Sequence, residues 1–178
     1  MWILFGFILI MFLIIVSASI VYSTLKYGIS PMPSSSKVKK CIEEVLPDRV
    51  EGKVYELGCG WGALAFRLAS LYPEAEIQAY EVSPMPWLYT YILQRIYRFS
   101  NMTLYWKDFY LDSLEDASLI VCYLYPGAME RLKKKFEEEL KPGTLIVSNT
   151  FAIPGWEPEQ VIKVNDFYRT KVYVYRSK

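Results

Sequence analysis

Three glycines fall within five positions, at Gly58, Gly60 and Gly62, and a carboxylate, Glu56, stands two residues before the first. An apolar run precedes them and a helix-like run follows. Such a loop brings backbone close to a ligand. A dinucleotide fingerprint reads G-x-G-x-x-G, with pyrophosphate on the helix N-terminus. Here the third glycine comes one residue early. A carboxylate at position 56 repels pyrophosphate and suits a cationic amine. S-adenosylmethionine (SAM) carries an amine, a sulfonium and no phosphate, so it fits where a dinucleotide does not. A tight turn that merely needs flexible backbone is the alternative.

Two more acids fall at the ends of apolar segments. Glu81 closes Glu76–Glu81 (EIQAYE), 19 positions after Gly62. A carboxylate there can accept both ribose hydroxyls, which supports adenosine without choosing between SAM and NAD. Asp108, in Trp106-Lys-Asp-Phe109, has two readings: an acceptor for the adenine amino group beside the Phe109 N–H, or a helix N-cap. A fourth apolar run ends in Tyr123-Leu-Tyr-Pro126. Backbone carbonyls at such a point can accept N–H bonds from an amine, and a ring can pack against a methyl cation. Ordinary aromatic packing is the competing reading, since the chain holds 15 Tyr.

The rest of the composition excludes other chemistry. There is no histidine, so no histidine of this chain acts as a base, and a zinc site lacks its usual ligands. Three scattered cysteines, at 41, 59 and 122, form no C-x-x-C and no disulfide framework. Neither a metal nor nucleic acid is expected as a partner, the latter because a net charge of +1 leaves no basic footprint.

These residues need elements to position them. Val38, Cys41, Ile42, Val45 and Leu46 mark an amphipathic helix stopped by Pro47. Strands are expected at Lys53–Leu57, Glu76–Glu81, Met102–Lys107, Ala117–Leu124 and Thr144–Ser148. Helices are expected between them at Ala63–Leu71, Pro86–Phe99 and Met129–Leu140, the last with a solvated Glu/Lys face. Val161–Val164 and Lys171–Tyr175 read as a terminal hairpin. Alternating strands and helices predict an α/β fold with a mostly parallel sheet covered on both faces, and ligands beyond the carboxyl ends of its strands. For most aromatics of the Pro86–Phe99 helix, core packing is the favoured expectation over lining an apolar pocket.

Ahead of this domain, Trp2–Tyr22 carries no charge and is long enough to span a bilayer, which takes roughly 20 apolar residues. Its length and the absence of Lys or Arg before it favour a retained anchor over a cleaved signal peptide. The first charges after it, Lys26, Lys37, Lys39 and Lys40, are all positive, which predicts a single-pass membrane protein with its domain on the cytoplasmic or equivalent side. The expected organisation is an anchor at 1–24, a linker at 25–36 and a catalytic domain at 37–178.

Glu56-Leu-Gly-Cys-Gly-Trp-Gly62 resembles motif I of the class I SAM-dependent methyltransferases. Pro31-Met-Pro-Ser-Ser35, Tyr80-Glu-Val-Ser-Pro84 with Trp87, and Phe151-Ala-Ile-Pro-Gly-Trp-Glu-Pro158 are similar to a narrower family. It comprises the membrane-anchored lysine methyltransferases of the ATP synthase c-subunit and the adenine nucleotide translocase, with prokaryotic relatives. The family usually has Asp in place of Glu56 and a smaller residue in place of Tyr125. The resemblance implies a Rossmann-like, seven-stranded sheet with a C-terminal hairpin. It implies SAM held by Glu56, Gly58, Cys59, Gly60, Gly62, Glu81, Asp108, Phe109 and Tyr123. It places the acceptor near Tyr123, Tyr125, Pro126, Phe151 and Trp156, with the Pro31–Ser36 and Phe151–Pro158 segments as walls. The expected activity is methyl transfer to a lysine of a membrane-associated protein. Alternatives are a lipid or other hydrophobic small-molecule acceptor, and a membrane-tethered SAM-binding protein without catalysis.

Overall fold

The computed structural model describes residues 1–27 and 34–178. Half of the expected linker, including Pro31-Met-Pro33, lies outside them. The elements run α1 (Trp2–Tyr27), α2 (Ser36–Val45), β1 (Lys53–Leu57), α3 (Ala63–Leu71), β2 (Glu76–Glu81), α4 (Pro84–Tyr97), β3 (Met102–Trp106), a 3-10 turn (Phe109–Leu111), β4 (Ala117–Cys122), α5 (Pro126–Glu139), β5 (Leu145–Asn149), β6 (Gln160–Lys163) and β7 (Lys171–Arg176).

The seven strands form one sheet in the order β3-β2-β1-β4-β5-β7-β6. The first five are parallel, with Glu56 opposite Ala79 of β2 and Val121 of β4. The direction of order reverses between β1 and β4, so the switch-point crevice opens beyond Leu57 and Cys122. The terminal hairpin is antiparallel, and β7, not β6, pairs with β5. Among the described residues, no helix separates β5 from β6.

Alternate residues of each strand feed two cores, as period 2 requires. Val54, Ile77, Leu119 and Val147 face one layer with Val38 and Ile42 of α2 and Leu64, Ala65 and Leu68 of α3. Tyr55, Leu57, Ile120, Cys122 and Ile146 face the other with Met129, Leu132 and Phe136 of α5. Each fully buried aliphatic or aromatic side chain contributes about 1.5–3 kcal/mol by leaving water. Sheet and helices therefore form a rigid frame for the crevice.

Several boundaries shift from expectation for local reasons. α4 and α5 start earlier, at Pro84 and Pro126, because proline is accepted at the first helical position, where no N–H bond is needed. β4 ends at Cys122 instead of Leu124 because Tyr123–Tyr125 turn away into α5. α2 starts at Ser36, after Ser35 caps it by accepting the Val38 N–H at 3.3 Å. The core-packing expectation for the aromatics of Pro86–Phe99 holds only in part: Phe99 packs against the core, Trp87 and Tyr91 are half-buried and stack on each other, and Tyr89 and Tyr97 are exposed. Only Pro86 and Thr90 of this helix are buried, while Leu88, Tyr89, Ile92, Ile96 and Tyr97 are exposed.

Candidate active site

A cleft lies at the switch point, about 1250 Å³ counting its solvent-filled mouth. Glu56, Gly58, Cys59, Gly60, Trp61, Glu81, Asp108, Phe109, Tyr123 and Tyr125 all line it. The strands bring them together, because each ends at the same edge of the sheet.

The glycine loop is held down by β2. The Gly58 and Cys59 N–H groups both donate to the Tyr80 carbonyl, at 3.0 and 2.8 Å. The Gly60 N–H donates to Glu81 Oε2 at 2.8 Å, and the Ser83 N–H donates to Glu81 Oε1 at 2.6 Å. Gly62 turns into α3 with φ +75°, and a Cβ there would stand 2.5 Å from Thr90 Cγ2. Gly62 itself is not part of the cleft wall; it shapes the loop from behind.

This bonding decides between cofactors. A pyrophosphate site needs free loop N–H groups, and those of Gly58, Cys59 and Gly60 are already committed to β2. Glu56, by contrast, is 5% exposed, and its Oε2 has no hydrogen-bond partner among the described residues. Burial, and then the neighbouring Glu81, raise its pKa well above the ordinary carboxylate value. A buried carboxylate oxygen without a donor is costly. An ammonium group placed beside it supplies both the donor and the countercharge. The residues present therefore fit SAM.

Of the two readings of Asp108, the structure shows the cap. The residue lines the cleft, and its Oδ1 caps the 3-10 turn by accepting the Tyr110 N–H at 3.1 Å. Its Oδ2 makes no hydrogen bond among the described residues. Cys59 and Cys122 also face the cleft, but burial pushes both thiols up, Cys122 to about 12. They stay protonated and are poor nucleophiles.

The acceptor-side expectations divide. Tyr123 and Tyr125 line the cleft, whereas Pro126, Phe151 and Trp156 do not. Pro126 opens α5. Phe151 packs on the core, and Trp156 packs against Phe136 and Tyr175 and donates to Glu137 Oε1 at 3.1 Å. The Tyr125 ring folds back over Gly127, where a Cβ would stand 2.8 Å from ring atom Cε2.

Other residues of the wall are Ser34, Lys39, Tyr80, Tyr110, Arg131 and Asn149. Asn149 ends β5 and is 2% exposed; its Nδ2 donates to Ser34 Oγ at 3.0 Å across 115 positions. Thr150, the next residue, has φ +70°, an uncommon value for a residue with a Cβ. A polar residue ending an apolar strand is the available signal for Asn149. Ser34 belongs to the Pro31–Ser36 segment expected as a wall, whereas nothing in the spacing marks Lys39 or Arg131. The Arg131 guanidinium lies 3.8 Å from the Tyr110 ring centre, so the cation packs on the cleft wall.

Comparison with known proteins agrees with this geometry. Residues 56–160, more than half of the chain, match the family model of the ANTKMT methyltransferase domain. The chain belongs to this methyltransferase family. It is a SAM-dependent methyltransferase.

Among relatives, a protein-lysine N-methyltransferase of Saccharolobus islandicus is 30% identical over 138 residues, covering 76% of this chain and 84% of that protein. The adenine nucleotide translocase lysine N-methyltransferase of Mus musculus is 30% identical over 116 residues, 62% of this chain and 48% of that protein. The lysine N-methyltransferase of the ATP synthase c-subunit from Rattus norvegicus is 26% identical, over 72% of this chain and 58% of that protein. The chain thus spans about half the length of these two mammalian relatives. In fold, it resembles an RNA methyltransferase from Salinibacter ruber solved with S-adenosyl-L-homocysteine, with a TM-score of 0.73, 22% identity and coverage of 82% and 94% of the two chains.

Proposed function

We propose that this methyltransferase modifies the side-chain amine of a lysine in a membrane-associated protein, and that α1 anchors it beside that substrate. The observation that carries the reading is a shared wall. One cleft is lined both by the Glu56–Trp61 loop, which suits SAM, and by Tyr123 and Tyr125, which suit an entering amine. The names of the archaeal and mammalian relatives support lysine as the acceptor.

SAM, when bound, supplies an electrophilic methyl group on its sulfonium. Glu56 would hold its amine, Glu81 its ribose hydroxyls and Asp108 its adenine amino group. Tyr123 and Tyr125 would orient the lysine nitrogen for in-line attack through their rings and backbone carbonyls. Most of the rate then comes from positioning and exclusion of water. A lysine amine has a pKa of about 10.4 in water, so it must lose a proton first. The aromatic wall helps by desolvating the ammonium, which lowers that value. Neither cleft cysteine competes as nucleophile, because both thiols are held protonated.

α1 supports the membrane part of the reading. Its 26 residues extend about 39 Å at 1.5 Å per residue, against a hydrocarbon core of about 30 Å. An 18-residue window within Trp2–Lys26 has a mean hydropathy of 2.9, and the apolar side chains from Trp2 to Ile15 are exposed. An anchor raises the effective concentration of any substrate in the same bilayer. The basic residues after it support a cytoplasmic or equivalent placement.

The full chain, reconstituted in liposomes with methyl-labelled SAM and a membrane-protein fraction, tests this. Label is expected in protein, on methylated lysine identified by mass spectrometry. Label in the lipid extract with none in protein overturns the lysine reading.

A further inference from the structure

We infer that α4 is a second membrane contact, lying in the headgroup region of the bilayer that α1 crosses, so that the mouth of the cleft faces that surface. The inference rests on the proposal that α1 spans the membrane.

The first observation is a stripe. Leu88, Tyr89, Ile92 and Ile96 stand at i, i+1, i+4 and i+8 on one side of α4, and each is between 42% and 63% exposed. Such spacing puts them on one helical face. Contiguous exposed apolar side chains on a domain mark an interaction site. The second observation is continuity. α1 packs against α4 in the structure. Among its residues nearest the domain, Ser23 is buried, and Ser19, Ile20 and Thr24 on the same side are partly covered. α4 therefore adjoins the element proposed to leave the bilayer, and a lipid surface is the partner within reach of its stripe.

Chemistry agrees with a headgroup position. Tyr89 and Tyr97 are exposed ring side chains of the kind that settle at a membrane-water boundary. The Arg95 guanidinium, next to the stripe, lies 5.2 Å from the Tyr91 ring centre. Arg98 closes the helix. Both can meet anionic headgroups while the stripe dips into the acyl boundary. The link to catalysis is Trp61. It lines the cleft and packs edge-on against Tyr89, with ring centres 5.5 Å apart. A helix docked by Leu88, Tyr89 and Ile92 thus brings the rim of the cleft to the lipid surface. The acceptor lysine would then sit at headgroup depth.

Cys41, Cys59 and Cys122 are buried, so introduced surface cysteines can be labelled selectively. An environment-sensitive fluorophore goes on Ile92→Cys, Ile96→Cys, Glu138→Cys on the exposed side of α5, and Ile8→Cys in α1, each in the full chain. The variants are reconstituted in phosphatidylcholine liposomes containing phosphatidylglycerol and a spin-labelled lipid quencher. Labels at 92 and 96 should lose most of their emission to a shallow quencher, the label at 8 to a deep one, and the label at 138 to neither. Quenching at 8 with none at 92 and 96 overturns the inference and leaves the anchor intact. No quenching at 8 overturns the anchor, and the inference with it. Energy transfer between labels at 92 in sparsely loaded liposomes would mean that a second copy covers the stripe, which also overturns it. As a functional readout, Ile92→Glu with Ile96→Glu should keep wild-type SAM affinity and lose several-fold in methylation of the membrane-protein fraction. Unchanged methylation overturns the claim that α4 presents the cleft.

Discussion

Glu81 Oε2 accepts the Gly60 N–H at 2.8 Å. A residue expected to hold a ribose also clamps the loop that surrounds the cofactor. Each carboxylate oxygen can accept more than one hydrogen bond, so the two tasks are compatible. Because Oε1 is engaged by the Ser83 N–H, the same side chain fixes the start of α4.

Glu81→Ala should therefore cost more than a ribose contact. Hydrogen bonds to a charged group contribute about 1.5–3 kcal/mol each. SAM affinity is expected to fall well over tenfold, as a tenfold loss is only about 1.4 kcal/mol. Calorimetry measures it. Glu81→Gln should recover only part, since its amide nitrogen faces an N–H donor.

Glu56 predicts a pH dependence. Its folded pKa is raised, by burial first and Glu81 second. It must be ionised to pair with an ammonium, so binding releases a proton at pH values where the free site is protonated. SAM affinity should rise with pH, by up to about tenfold per unit, until Glu56 is ionised in the free protein. Stability of the free protein runs the other way. A raised acid contributes stability below its unfolded pKa, about 4.3, and that contribution is lost as pH rises through the folded value. Compared with Glu56→Gln, wild type should lose thermal stability with rising pH, and saturating SAM should restore it. A pH-independent difference between the two proteins would contradict the assignment.

Gly62→Ala should destabilise the fold by about 2–4 kcal/mol, from a left-handed conformation carrying a Cβ and overlap with Thr90. Adding Thr90→Ala removes the 2.5 Å contact and should recover part of the loss. Denaturant unfolding of the double-mutant cycle should show a favourable coupling, because the two side chains meet. Strict additivity would mean that backbone conformation alone sets the cost.

Gly127→Ala addresses the acceptor side. The new Cβ meets the Tyr125 ring, a movable side chain, at 2.8 Å. Stability should change by less than about 1 kcal/mol. The ring must swing within the cleft, so kcat should fall while SAM affinity holds. Equal kcat in both proteins would remove Tyr125 from acceptor positioning.

Much of this molecule is legible in the chain because its signals are local. β1, β2 and α3 carry their expected limits, Lys53–Leu57, Glu76–Glu81 and Ala63–Leu71. Each is bounded by a glycine, a proline or a charge, and each has a clear apolar period. The cofactor follows from Glu56 and the glycine spacing because charge and loop length are properties of residue type. α4 misleads because its apolar residues say only that something covers them. Whether that is the core depends on the helix's orientation, which the sheet sets. The motif of Phe151 and Trp156 groups them with the acceptor, yet the β5–β6 connection carries Trp156 onto α5 and β7.

The class of fold, the cofactor and an apolar segment able to span a bilayer are legible in short stretches of the chain, since each depends on local composition, period or spacing. It takes the folded arrangement to commit the Gly58, Cys59 and Gly60 N–H groups to β2, to bring Asn149 and Ser34 together at the cleft, and to turn an apolar stripe of α4 outward beside α1. Those relationships join residues far apart in the chain, and their pairing follows from sheet order and helix packing, which no single segment encodes.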